Sequence, residues 1–349
     1  MNEHTKHTMR DVARLAGVST STVSAVINET VTVSPARKKR VVEAMAALDY
    51  YPDAVARGLK TGKSKVIGVV VPDITNAFYP EVVRAVEDAA RRAGYVVLLC
   101  DSDENAVNED THLAMLFSRR VDGVLLACCA NSTAYATMVR RRFPMVFVDR
   151  VPPTAGEGTV SSDNVHAGYT AACHLIELGH RRIAMLAGHL GLSPHHDRLE
   201  GFRKAMQEFH IPIRDEYLIA GDVQIENGLD ATRKLLALSV RPTAVMVSNN
   251  KLLLGVLQGI DEYKIVVPGQ LSIVGFDDYI WNRYFSPSLT AVAQATYEMG
   301  TRAFDLLLQI IDRKSGQELP QKHVRLGVEL RVRNSTGPPP SDIPLGQQL

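Results

Sequence analysis

The sequence predicts a small all-α head followed by an α/β core of two doubly wound parallel-sheet subdomains. The first 50 of its 349 residues hold helix caps and helically spaced small apolar residues. After Lys65 the texture changes to short apolar runs alternating with amphipathic stretches, and the same rhythm restarts after Asn164. Such alternation marks open parallel sheets flanked by helices.

In the head, Thr8 can cap a helix with Asp11 at its third position, and Gly17 supplies the stop. Ser19 caps a second helix. Ser34 followed by Pro35 starts a third, whose Val41, Met45 and Leu48 share a face. From Met1 to Lys65 there are eleven Lys and Arg against six Asp and Glu, a balance of +5 within a chain of net +1. The remainder is therefore -4, and a basic head on an acidic body implies a polyanionic partner for the head alone.

In the core, Val66 to Val71, Val96 to Cys100, Val121 to Cys128 and Met145 to Val148 read as buried strands. Pro80 to Ala93, Asn105 to Arg119 and Thr133 to Arg142 read as the helices between them. The second set has strands at Ile183 to Ala187, Tyr217 to Ala220, Ala244 to Ser248 and Leu271 to Phe276. Helices at Ala167 to Leu178 and Arg198 to Phe209 belong with them. Pro52 to Ser64 reads as a linker with weak helical potential, and the Pro- and Gly-dominated 337–349 as a flexible tail.

Cys100, Cys128, Cys129 and Cys173 fit no zinc spacing and read as reduced, mostly core thiols. The N-terminus lacks an apolar signal core and no 18-residue apolar run exists, so the expected location is cytoplasmic, with no membrane contact. There is no GxGxxG, no P-loop and no GxSxG elbow, so no enzyme class and no cofactor is expected. His195 and His196 fall near the expected ligand cleft of the core, but with no third ligand in view they read as surface residues rather than a metal site.

The segment Asp11 to Asn28, DVARLAGVSTSTVSAVIN, fills every position of the pattern DVAxxAGVSxxTVSxVxN. It resembles the lactose-repressor/galactose-repressor (LacI/GalR) family of transcription regulators. The resemblance implies a helix-turn-helix headpiece over 1–51 and a hinge helix within 52–64. It further implies a periplasmic-binding-protein-like core, with 65–164 plus 295–336 as one subdomain and 165–294 as the other.

Carried over by position, Thr20, Ser21 and Ala25 match base-reading residues, while Thr22, Ser24, Asn28 and Tyr50 match phosphate-holding ones. Leu59 matches a minor-groove wedge, with Arg57 and Lys60 beside it. Many relatives have Arg or another polar side chain where this chain has Ala25, which offers only an apolar contact. One headpiece reads few base pairs, so a homodimer on double-stranded, pseudo-palindromic operator DNA is expected.

Blocks such as VFVDR, SSDN, RLEGF and VGFDD carry the resemblance through the core. Phe78, Asp149, Arg198, Asn249, Asn250, Asp277, Gln294 and Trp281 are the expected effector-binding residues, at or near strand ends where open sheets bind ligands. Carboxylates, amides and a guanidinium suit vicinal hydroxyls, so the effector is expected to be a sugar, sugar acid or polyol acting as inducer of a repressor. Asn250 replaces a common Asp and Val223 a frequent aromatic. Leu192 and Pro194 stand where purine-sensing members carry polar groups, which disfavours a purine. The core alone would suit a solute-binding protein, a reading that the headpiece opposes.

Overall fold

The computed structural model describes residues 7–28, 32–51, 62–130, 132–133, 135–152, 158–313 and 322–340. Two compact units, Met1–Ser64 and Lys65–Leu349, make up the chain.

The first unit contains α1 (Met9–Ala16), α2 (Thr20–Asn28) and α3 (Pro35–Ala47). Asp11 Oδ2 accepts from the Thr8 backbone N–H at 2.9 Å and from the Thr8 hydroxyl at 2.7 Å, which fixes the start of α1. Gly17, at φ 63°, ends it in the left-handed conformation that glycine adopts without penalty, and Val18 N–H returns to the Ala13 carbonyl. Val12, Ala13, Ala16, Val23, Val41 and Ala44 form the small core.

The second unit holds two sheets of the same design. Its first half runs β1 (Val66–Val71), α4 (Phe78–Arg92), β2 (Val96–Asp101), α5 (Ala106–Ser118), β3 (Gly123–Leu126), α6 (Tyr135–Arg140), β4 (Met145–Val148) and β5 (Thr159–Ser162). The second half repeats this with α7 (Asn164–Glu177), β6 (Ile183–Ala187), α8 (Ser193–Glu208), β7 (Leu218–Ala220), α9 (Ile225–Leu236), β8 (Ala244–Val247), α10 (Asn250–Glu262), β9 (Ser272–Phe276) and β10 (Thr290–Gln294). Then α11 (Thr296–Asp312) returns to the first sheet, followed by β11 (His323–Leu326) and β12 (Val328–Arg331).

The strand orders are β11-β5-β4-β3-β1-β2 and β12-β10-β9-β8-β6-β7. Each strand of one sheet thus has a counterpart at the same place in the other. Among the described residues all pairings are parallel except β10 with β12. Central strands such as VIGVVV and IAMLA are buried almost throughout because helices cover both faces.

Two expectations need correction. The resemblance implies three crossovers but places all of 295–336 in the first subdomain; the third crossover falls at Gly327, and β12 closes the edge of the second sheet against β10. Ser335, fully buried, donates to the Ile273 carbonyl and accepts from Thr290 N–H, locking that return. The start of the expected flexible tail is also bound. The Gly337 carbonyl accepts from His180 Nε2 at 2.9 Å and from the Ser272 hydroxyl at 3.2 Å, and the described residues to Pro340 follow from there.

Candidate functional site

In the headpiece, α2 begins at Thr20, so Thr20 and Ser21 stand exposed in its first turn. Ser19 precedes it as the cap: its hydroxyl accepts from Thr22 N–H at 3.2 Å and lies 2.7 Å from Ser21 Oγ and 2.9 Å from Thr22 Oγ1. The hydroxyls are thus pre-ordered at a helix N-terminus, a geometry that suits both base edges and phosphate oxygens. Ser24 and Ala25 are half-buried one turn on, while Val23 is fully buried beneath them. Tyr50 packs on the headpiece core from its edge. The Asn28 side chain and the hinge residues Arg57, Leu59 and Lys60 lie outside the described residues.

The core's cleft opens where the carboxyl ends of both sheets face one another. Asp149 directly follows β4 and Asp277 directly follows β9, the matching strands of the two sheets. Both adopt left-handed backbone, φ 64° and 69°, and each backbone N–H bonds to the next strand, to Val160 and Val292. A left-handed non-glycine at a strand end is uncommon, and finding it twice in equivalent positions marks a constrained site.

Asp149, Asp277, Arg198, Phe78, Asn249 and Gln294 all line this cleft, as the sequence leads one to expect. So do Asn76, Tyr79, Arg150, Pro194 and His195. Arg198 is buried: its Nε donates to Asn164 Oδ1 at 2.8 Å, Nη1 to the Ser248 carbonyl at 2.5 Å, and its guanidinium lies 4.3 Å from the Phe276 ring centre. Tyr79 donates to Asp149 Oδ2 at 3.1 Å, and Gln294 Nε2 donates to Asp277 Oδ1 at 2.6 Å. Gln294 Oε1 is buried without a donor. Arg150 does not simply pair with its neighbour Asp149; it makes a bidentate contact to Glu104, at 2.8 and 2.6 Å. Asn249 Oδ1 caps α10, accepting from Lys251 and Leu252 N–H.

Two expected ligand residues stand elsewhere. Trp281 does not line the cleft. It sits in a 3-10 turn, Ile280–Arg283, and stacks on Tyr279 at 4.7 Å between ring centres, beside an adjoining, largely apolar cavity of about 390 Å³ that shares Asn76 and Asp277 with the cleft. Asn250 lines that same cavity and reaches the cleft only at second hand, donating to Asn76 Oδ1 at 2.8 Å. His195, expected near the cleft as a surface residue, is buried in the cleft lining, while His196 is exposed.

Three contacts tie the cleft's walls together. Lys251 pairs with Asp73, Asn250 donates to Asn76, and Val151 N–H donates to Ser193 Oγ at 2.9 Å. Each joins one subdomain to the other.

Burial pushes the Asp149 and Asp277 carboxyls above the ordinary carboxylate range, opposed in both by the Arg198 charge. Burial, reinforced by Arg198 and Arg150, holds His195 well below 6.5, so it is a neutral imidazole. An unfolded chain takes up a proton near pH 6.5 that folded His195 refuses. Stability is therefore expected to fall as pH drops below that value, by about 1.4 kcal/mol per pH unit for this histidine. His174 and His180, also lowered by burial, act in the same direction. Asp149 and Asp277 act oppositely, adding stability only as pH falls into the carboxylate range. A urea midpoint that stays level or rises between pH 7.5 and 6 would contradict this.

Burial also raises the Cys128 and Cys129 thiols to about 12, as befits inert core residues. Among the described residues no helix is long and apolar enough to cross a membrane.

Residues 8–53 match the family model described as bacterial regulatory proteins, lacI family, and residues 172–336 match the periplasmic binding protein-like domain. The HTH-type transcriptional repressor PurR of Photobacterium profundum is 35% identical over 330 residues, covering 94% of this chain and 98% of that protein. The crystal structure of the lac repressor dimer bound to operator and an anti-inducer superposes with a TM-score of 0.82 at 28% identity, covering 95% of this chain and 99% of that one. A LacI family regulator from Enterococcus faecium with bound ribose gives 0.68 at 31% identity, covering 78% and 99%.

Fold and likeness together define a ligand-responsive transcriptional repressor with a helix-turn-helix head and a binding-protein-like core. The chain belongs to the LacI family of bacterial regulatory proteins.

Proposed function

We propose that the protein represses transcription in the cytoplasm by binding a pseudo-palindromic operator as a dimer, and that a sugar or sugar-derived inducer in the core cleft releases it. The observation that carries the inducer class is the paired Asp149 and Asp277 facing Arg198, amides and the aromatic rings of Phe78 and Tyr79 in a single cleft. Acceptors and donors interleaved around a small space match adjacent hydroxyls. Pro194 in the lining and the buried Leu192 bring no polar side chain for a purine. That the E. faecium relative holds ribose supports the same reading.

The dimer is supported by an apolar face on the second subdomain, where Ile225, Leu254, Trp281 and Phe285 rim the larger cavity and Ile280 and Tyr284 are exposed nearby. Contiguous apolar surface of this kind marks association. Thr20, Ser21 and Ala25 read bases, and Thr22, Ser24, Asn28 and Tyr50 hold phosphates. Leu59, with Arg57 and Lys60, enters the minor groove. Ligand then shifts the balance between closed and open cores, and by linkage operator DNA alters ligand affinity by the same factor.

The test begins with selection of operators from random DNA, followed by anisotropy titration in the presence of a sugar panel. Two inverted half-sites and release by at least one sugar are expected. Tighter DNA binding with the sugar would make it a corepressor, and indifference to all sugars would remove the inducer assignment. Ala25→Arg should change the preferred base at one position per half-site by roughly 1–3 kcal/mol of discrimination. Selection of an unchanged operator by that variant would remove Ala25 from the base-reading set.

A further inference from the structure

We infer that the cleft accepts an uncharged polyhydroxylated ligand, a neutral sugar or polyol, and rejects the corresponding acids and phosphates. This rests on the effector reading above and narrows it, since that reading admits sugar acids.

The inference comes from the charges that face the space. On the first subdomain these are Asp149 and Arg150, and Arg150 is already held by Glu104, which does not line the cleft but counts against its charge. On the second they are Arg198 and Asp277. Two cations against three carboxylates leave one net negative charge. Protonating one of the buried aspartates, the direction in which desolvation pushes them, brings the set to zero. In neither state is a cation left over for an anion.

The neighbouring cations are equally committed. Lys251 is paired with Asp73, and Arg331 and Arg333 are drawn onto Asp278, with Glu329 also on Arg331. His195, the remaining titratable group in the lining besides Tyr79, is neutral. A carboxylate or phosphate entering here would be desolvated against two buried carboxylates with one guanidinium to share, and that guanidinium already donates to Asn164 and Ser248.

Hydroxyl groups meet no such opposition. Asp149, Asp277 and the donor-less Gln294 Oε1 are acceptors that want O–H donors, and a hydroxyl oxygen can in turn accept from Asn249 or Arg198. The surplus of acceptors is what selects a molecule rich in donors.

The test is a thermal-shift and calorimetric comparison of matched pairs on the full-length protein: D-ribose with ribose 5-phosphate, D-glucose with gluconate and glucose 6-phosphate, and mannitol with mannitol 1-phosphate. The inference expects binding by at least one neutral member and binding about 100-fold weaker, or none, by its charged partner. Asp277→Asn should weaken the neutral hit and, by removing a negative charge, narrow its advantage over the charged partner; a variant merely loosened in structure would weaken both alike. A charged member that binds as tightly as its neutral parent overturns the inference while leaving a sugar-type effector in place. Binding by no member of any pair overturns the effector reading itself, and this inference with it.

Discussion

Replacing Arg198 by Met is expected to lower the stability of the core by about 3–5 kcal/mol at pH 7.5 and to abolish the response to any ligand of the cleft. Arg198 is 4% exposed and is the charge that most offsets the burial of both Asp149 and Asp277. Its loss leaves two carboxylates in a desolvated space with no facing cation but Arg150, which Glu104 already holds. It also strands Asn164 Oδ1 and the Ser248 carbonyl, both of which accept from the guanidinium.

The pH dependence separates this account from simple loss of packing. With Arg198 gone, Asp149 and Asp277 should move still higher above 3.8, so the variant binds protons in its folded state that the unfolded chain releases. Stability missing at neutral pH should then return as pH falls into that raised range, and the gap between variant and parent should narrow. Urea unfolding of both proteins at pH 7.5 and pH 5 measures it. A gap of equal size at the two values would show that the lost interaction was steric and not electrostatic.

Much of this site is legible in the sequence because it lies at strand ends. The apolar runs before Asp149 and Asp277 announce buried strands, and a carboxylate immediately after such a run must emerge at the sheet's carboxyl edge. Asn249 and Gln294, at or just after the ends of β8 and β10, are reached by the same reasoning, whereas Phe78 and Arg198, in the helices after β1 and β6, are reached through the family resemblance. Trp281 is not. Its nearness to Asp277 says nothing about the direction of the turn between them, and the ring follows Tyr279 toward the apolar cavity.

His195 and His196 fail for a related reason. Adjacent positions on a helix point about 100° apart, so one neighbour faces the cleft and the other water, and a pair cannot be read as a unit. Short strands without an apolar run are the other blind spot. Thr159–Ser162 is rich in hydroxyls and Val328–Arg331 is half charged, so neither shows an apolar run; each is a strand because a neighbour's unpaired edge receives it. The ordered start of the tail is equally invisible. Pro and Gly content describes the chain's freedom but not the His180 and Ser272 donors that take up the Gly337 carbonyl.

Gly168→Ala is expected to cost about 3 kcal/mol, at the upper end for overpacking, and to blunt the effector response as well. In the α7–α8 pair a Cβ on Gly168 would overlap the carbonyl oxygen of Arg198, and one on Gly201 would overlap that of Val165. These are backbone atoms of helices, which cannot swing aside as a flexible side chain would, so α7 and α8 must separate. Because the clash falls on Arg198 itself, the separation withdraws the guanidinium from Asp149 and Asp277. A helix-packing glycine would thereby act on the cleft without lining it. Gly221→Ala is the comparison: nothing lies within 4 Å of its Cβ, and stability should change by no more than about 0.5 kcal/mol. Denaturant unfolding reads the first effect, and ligand titration of the still-folded variant reads the second. A Gly168→Ala protein that unfolds early yet binds its effector with unchanged affinity would show that the cleft keeps its geometry independently of this helix contact.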